Sequence, residues 1–162
     1  MTNLDLDLKS KSDWIEMFPF GLAMGASGAK PVMIFKDKQE RKAFPVWLSP
    51  LDAGISVAQS DVYKTSSPHD TSLKILNELG VKVEKCLFRE VRDNLQYVEI
   101  HISGSRKVKM IEAKAEDAIS FCLRLGCKFF AQVDYIEKSR VLENKFSMGP
   151  VVMDTVPPKY LN

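Results

Sequence analysis

The apolar positions of this chain recur at two spacings, and the changes of spacing mark its elements. Residues 14–18 and 21–24 read as extended segments made irregular at Pro19, ahead of a Gly-Ala-Ser-Gly loop at 25–28. Val32, Met33, Ile34 and Phe35 predict a strand. Asp37, Lys38, Gln39 and Glu40 turn it into a second over 43–48, where Pro45, lacking an N–H, calls for an edge or a bulge. Ser49-Pro50-Leu51-Asp52 then starts a helix. The serine caps, the proline suits the first helical position, and Asp52 stands at capping-box spacing. Leu51, Ile55, Ala58 and Val62 follow at helical spacing and predict the buried stripe. A loop over 64–68 leads to a helix at about 70–79, with Leu73, Leu76 and Leu79 as its stripe and Gly80 as its stop.

Next comes a hairpin. Residues 95–102 alternate, with Val98, Ile100 and Ile102 on one face and Tyr97, Glu99 and His101 on the other. Pairing them with 81–91 through a three-residue turn, Arg92-Asp93-Asn94, brings Cys86 and Phe88 onto the apolar face. A two-residue turn would slip the register by one and carry Lys85 and Arg89 inward, so the three-residue turn is expected. Ser103-Gly104-Ser105 turns into a strand at 107–111, and an almost wholly apolar helix follows at 116–125, closed by Gly126. Residues 128–132 predict a short strand and 134–138 a helical turn. Beyond 141 the apolar residues lose their period and Pro150, Pro157 and Pro158 intervene, which reads as a tail. Strands in groups, not alternating with helices, give an α+β fold of mainly antiparallel strands packed with short helices. The expected organisation is a flexible segment at 1–12, a single domain at 13–140 and a C-terminal tail at 141–162.

Composition narrows the function classes. A chain of 162 residues can bury a real core, and 45% apolar with 27% charged residues excludes a disordered chain. A net charge of +2 confines any basic surface to a local patch. Cys86, Cys122 and Cys127 form no C-x-x-C pair and lie in apolar patterns, so they read as core residues in a reducing compartment. The first residues are acidic without an apolar signal region, and no apolar run reaches membrane-spanning length. The expectation is a soluble cytoplasmic protein with no membrane partner. Several edge strands in a short domain make a homodimer a further expectation.

Candidate chemistry gathers at helix starts. Asp52, Asp70 and Asp117 each lie at or near one. They are either caps or carboxylates that converge on a hard cation such as Mg²⁺. His69 is either a loop histidine or a general base near neutral pH. Lys114, Glu116 and Asp117 put a cation and two acids at the mouth of the apolar helix. Lys85, Arg89, His101, Lys107 and Lys109 surround Tyr97 on the hairpin's polar face, either a solvated face or a track for a phosphate backbone, with Glu99 interrupting it.

Three stretches together resemble the bifunctional nuclease (DNase/RNase) domain family. They are Phe44-Pro45-Val46-Trp47-Leu48-Ser49-Pro50-Leu51-Asp52-Ala53, then Pro68-His69-Asp70, then Ala113-Lys114-Ala115-Glu116-Asp117-Ala118-Ile119. Their order and spacing agree over about residues 30–140. Ser49 stands where the family favours glycine, Pro68 where it favours threonine, and Lys114-Ala115-Glu116 where it favours Arg-Pro-Ser. Lysine keeps the charge of arginine but not its planar fork. The resemblance implies a metal-dependent nuclease acting on nucleic acid. Its catalytic residues would be His69, Asp70 and Asp117, Lys114 would contact phosphate, and Asp52, Asp70 and Asp117 would hold Mg²⁺. The alternative is a non-catalytic regulatory or protein-interaction module using the same charged pocket for an anion or a partner.

Overall fold

In the structure, a computed structural model that describes residues 14–23, 30–60 and 65–146, seven strands form one curled sheet and four helices accompany it. The strands are β1 (Trp14–Ala23), β2 (Val32–Asp37), β3 (Ala43–Trp47), β4 (Lys82–Arg92), β5 (Leu95–Ser103), β6 (Met110–Lys114) and β7 (Lys128–Gln132). The helices are α1 (Pro50–Gln59), α2 (Pro68–Glu78), α3 (Ala115–Arg124) and α4 (Val133–Phe146). The sheet order is β3-β2-β1-β7-β4-β5-β6, and only the β4–β7 pairing is parallel. The expected α+β class holds. The readings for residues 1–12, for the loop at 25–28, for Val62 and for residues 147–162 lie outside the described residues.

The β4–β5 hairpin corrects one expectation and explains why its consequence survives. The turn has two residues, Asp93 and Asn94, with φ of 52° and 61°, the left-handed pair that a tight hairpin favours. Arg92 faces Leu95, which is the register that would bury the wrong face. Arg89 then stands as an extra residue between the Phe88–Val98 and Glu90–Tyr97 pairs. That bulge restores the pleat. Cys86, Phe88, Val98 and Ile100 are all buried, as the alternation predicts, and Lys85 is exposed; Ile102, read on the same face, is only half-buried, beyond a further register shift between Val83 and Lys85. The two devices together do what a three-residue turn would have done. A bulge in β1 accounts for the irregularity expected at Pro19: Phe20 is the extra residue there, turned outward beneath Lys36, whose Nζ lies 3.4 Å from the ring centroid.

The curl closes on aromatic rings. Phe35, Phe44, Phe88, Phe129 and Tyr135 meet with centroids 5.0–5.9 Å apart, and Ile119, Cys122 and Ile136 from α3 and α4 complete the core. The curl also brings β3, an end of the sheet, against β5. Gln96 of β5 accepts the Trp47 N–H on Oε1 at 2.9 Å, and its Nε2 donates to the Pro45 carbonyl at 2.8 Å and to Ser139 of α4 at 2.9 Å. Arg140 Nε donates to the Ala43 carbonyl at 2.7 Å. Pro45 has no N–H to offer, and side chains occupy three outward backbone groups of this edge strand, the Ala43 and Pro45 carbonyls and the Trp47 N–H.

Three helix expectations are corrected. In α1 the buried residues are Asp52, Ala53 and Ser56, while Leu51 is 74% exposed. The helix packs against α3 through small and polar side chains and not against the sheet through its large ones. α2 begins at Pro68, two residues earlier than expected, and buries nothing fully; Leu79 is exposed and Leu73 and Leu76 are half-buried. Its capping box, with Ser67 Oγ accepting from the helix and Asp70 accepting the Ser67 N–H at 2.8 Å, fixes it at the surface. α4 is no single turn. It runs on past residue 141 to Phe146 and buries Tyr135, Ser139 and Leu142 on one face. β6 starts at Met110, later than expected, because Ser105 holds the preceding loop by accepting the Val108 N–H at 3.1 Å. All three cysteines are free and buried, as expected. No helix among the described residues is long and apolar enough to cross a membrane.

Candidate functional site

The site is built where α1, the start of α2 and α3 meet. Ser49 caps α1 by accepting the Asp52 N–H at 3.1 Å, and its own N–H donates to the Glu116 carbonyl at 2.9 Å. The first turns of α1 and α3 are thereby held side by side. Asp52 does not close the capping box of its own helix. Its side chain crosses to α3, where the Ser120 hydroxyl donates to Oδ1 and the Ser120 N–H donates to Oδ2 at 3.1 Å. At the far end of α1, Gln59 accepts from the Ser67 hydroxyl at 2.6 Å and donates to the Ser120 carbonyl at 3.0 Å. One glutamine thus ties the cap of α2 to α3.

His69 completes the arrangement. Its Nε2 lies 2.8 Å from Ser120 Oγ, and its ring sits edge-on to Phe121 at 5.4 Å. The bonds can be assigned from the network. Because the Ser120 hydroxyl gives its proton to ionised Asp52, Oγ is left to accept, so neutral His69 carries its proton on Nε2 and keeps Nδ1 as the basic nitrogen. Ser120 is fully buried and Asp52 nearly so, while His69 is half-buried. The chain therefore runs from a buried carboxylate, through an unreachable hydroxyl, to an imidazole at the surface. Ser120 is out of reach as a nucleophile; its geometry suits orientation and proton transfer.

The electrostatics follow from burial. Burial pushes the Asp52 carboxyl above its ordinary 3.8, against the two Ser120 hydrogen bonds and His69, which pull it down; Asp117 adds to the rise. Burial pushes His69 below its ordinary 6.5, against the attraction of Asp52 and Asp70. Asp70 is held low by the Ser67 N–H and by Arg124.

The predicted site residues fall into separate places. Asp52 and His69 join one chain through Ser120. Asp70 is adjacent in sequence but engaged elsewhere, with Oδ2 on the Ser67 N–H and Oδ1 on the Arg124 guanidinium. It lines an open depression together with Gln59, Lys74, Asn77 and Arg124. Asp117 is exposed on the first turn of α3, close enough to Asp52 to act on it through charge, and makes no hydrogen bond among the described residues. Lys114, the N-cap residue of α3, lines a smaller hollow with Lys30, Trp47, Gln96 and Glu116, where Lys30 pairs with Glu116 at 2.7 Å. The three carboxylates assigned to Mg²⁺ do not converge: no three Asp, Glu, His or Cys side chains among the described residues form a metal-holding group. Asp52 and Asp70 already spend both oxygens on protein donors.

Sequence reasoning missed Ser120, Gln59 and Arg124. Ser120 carried a signal, as the polar residue on the apolar face between Ile119 and Cys122. Gln59 and Arg124 carried none, since each looks like an ordinary polar residue near a helix end.

No curated protein matches the chain. The family model for the bifunctional nuclease domain matches residues 33–144, from β2 to the last turn of α4, and so spans every residue of the hydrogen-bonded chain. The chain belongs to the bifunctional nuclease domain family.

Proposed function

We propose that this protein hydrolyses phosphodiester bonds in nucleic acid, with His69 as the group that moves the proton and Ser120 and Asp52 holding its ring and tautomer. The observation that carries the reading is the Asp52–Ser120–His69 chain. A buried carboxylate that fixes an imidazole through one intermediate is the kind of support a general base requires. The lowered proton affinity of His69 keeps Nδ1 free at neutral pH. The family's name supplies the substrate class. Three buried free thiols support a reducing compartment for this chemistry.

The test is cleavage of single- and double-stranded DNA and RNA by purified protein, with added Mg²⁺ and with chelator, set beside His69→Gln and Ser120→Ala. His69→Gln should lower the rate by about a hundredfold or more, the usual worth of a positioned acid–base group. One observation favours the alternative, a non-catalytic module binding an anion or a partner: Asp52 and Asp70 are both committed to internal partners. Failure of scrupulously purified wild type to cleave any substrate would decide for that module.

A further inference from the structure

A depression between α2 and α3 lies beside the hydrogen-bonded chain, and the chain itself does not use it. It measures about 570 Å³, within the size of a small-ligand site. Gln59 forms part of its wall and also bonds the Ser120 carbonyl, so the depression abuts the helix that carries the proton chain. Among the described residues its charged groups are Arg124, Lys74 and Asp70, an excess of one positive charge. Asn77 adds an amide.

Arg124 is only half used. Its Nε and one terminal nitrogen both meet the same oxygen, Oδ1 of Asp70. Nη1 makes no hydrogen bond among the described residues, so a second edge of the planar fork is open to an anion. Lys74, one turn beyond Asp70 on α2, is exposed and forms no ion pair among the described residues, although its charge reaches Asp70. Asp70 holds Arg124 in place, Lys74 stands one turn away, and the two cations together keep a net attraction for phosphate.

We infer that this depression is a phosphate subsite for a nucleic-acid strand, in which Arg124 and Lys74 grip a backbone phosphate beside the one presented to His69. The inference rests on the nucleic-acid reading of the site. It adds a location that the hydrogen-bonded chain does not contain. Contacts of this kind position a strand without reading its bases, so binding there is indifferent to sequence and sensitive to salt.

The experiment is fluorescence anisotropy of a labelled single-stranded oligodeoxynucleotide, titrated with the full chain over a range of salt. Lys74→Gln and Arg124→Gln are compared with Lys138→Gln on α4. Lys74 supports nothing in the fold, so its variant stays informative even where loss of Arg124 loosens α2. The expected result is several-fold weaker binding for Lys74→Gln, with the salt slope reduced by about 0.7, the worth of one single-strand phosphate contact. Lys138→Gln should bind as wild type does. Unchanged binding by Lys74→Gln, an equal loss for Lys138→Gln, or no binding by wild type would each overturn the subsite. Binding that depends on Lys74 in a protein that never cleaves keeps the subsite and removes only the hydrolytic reading. Cleavage untouched by both substitutions removes only the subsite.

Discussion

Ser120 gives both of its donors to one side chain: its hydroxyl and its backbone N–H go to the two oxygens of Asp52. A single residue on α3 therefore satisfies a carboxylate buried on α1, and does so with the hydroxyl that also meets His69. Burying a charge without partners is costly, so removing the serine would leave the Asp52 carboxylate short of the hydroxyl donor it depends on.

Asp52→Asn should keep the fold and disable the site. The amide can accept the Ser120 N–H but must donate to Oγ, which turns the serine hydroxyl toward His69 and moves the imidazole proton to Nδ1. The rate should fall by about a hundredfold or more, and the melting stability by about 1 kcal/mol. Histidine nitrogen chemical shifts read the tautomer directly. An unchanged tautomer in the variant would break the argument.

The pH dependence of stability has two limbs of opposite sign. His69 binds its proton more weakly in the fold, so its contribution is present above 6.5 and is lost as pH falls from there through its lowered folded value. Asp52 binds its proton more tightly in the fold, so its contribution is present below 3.8 and is lost as pH rises through its raised folded value. Melting curves across this range should show stability dropping just below pH 6.5 in wild type and a flatter profile in His69→Gln. A profile unaltered by the substitution would show that another group titrates there.

Helix α1 separates the stripe read from sequence from the face that is buried. Leu51→Ala should change stability by no more than about 0.5 kcal/mol, since the side chain is 74% exposed. Ala53→Leu should cost about 1–3 kcal/mol, because Ala53 is fully buried where no room is left for added methylenes. Denaturant unfolding of the two variants ranks them.

Gln96 gives the fourth prediction. Gln96→Ala withdraws the partners of the Trp47 N–H and the Pro45 carbonyl at once, at about 1–3 kcal/mol for each group left without its bond. Gln96→Glu should be harmful too, because a carboxylate cannot donate to the Pro45 and Ser139 oxygens. Equal unfolding midpoints for wild type and the alanine variant would contradict this.

The strands were legible because alternation, proline and glycine act locally: Pro45 placed an edge, and Pro19 an irregularity, before any tertiary contact was known. The hairpin turn was misread because a bulge at Arg89 leaves no mark in composition. The stripes of α1 and α2 were misread for a different reason. Leucines at helical spacing look like a core, but α1 is held by Asp52 and Ser120, so its buried face is polar and small. His69 and Asp52 were found as residues. Their connection was not, since Ser120 lies 68 positions from Asp52 and 51 from His69, and no local pattern records such a pairing.

The side-chain cover over β3 has a consequence for self-association. A sheet that recruits another copy strand to strand needs an edge with unspent backbone groups, and an open-ended stack needs two. With Gln96 and Arg140 occupying outward groups at one end and Pro45 lacking an N–H there, β6 is, among the described residues, the edge strand left to pair. A pairing through β6 would consume that edge in both copies and stop at two. Among the described residues, one side is guarded against fibril growth by three side chains and not by a covering strand.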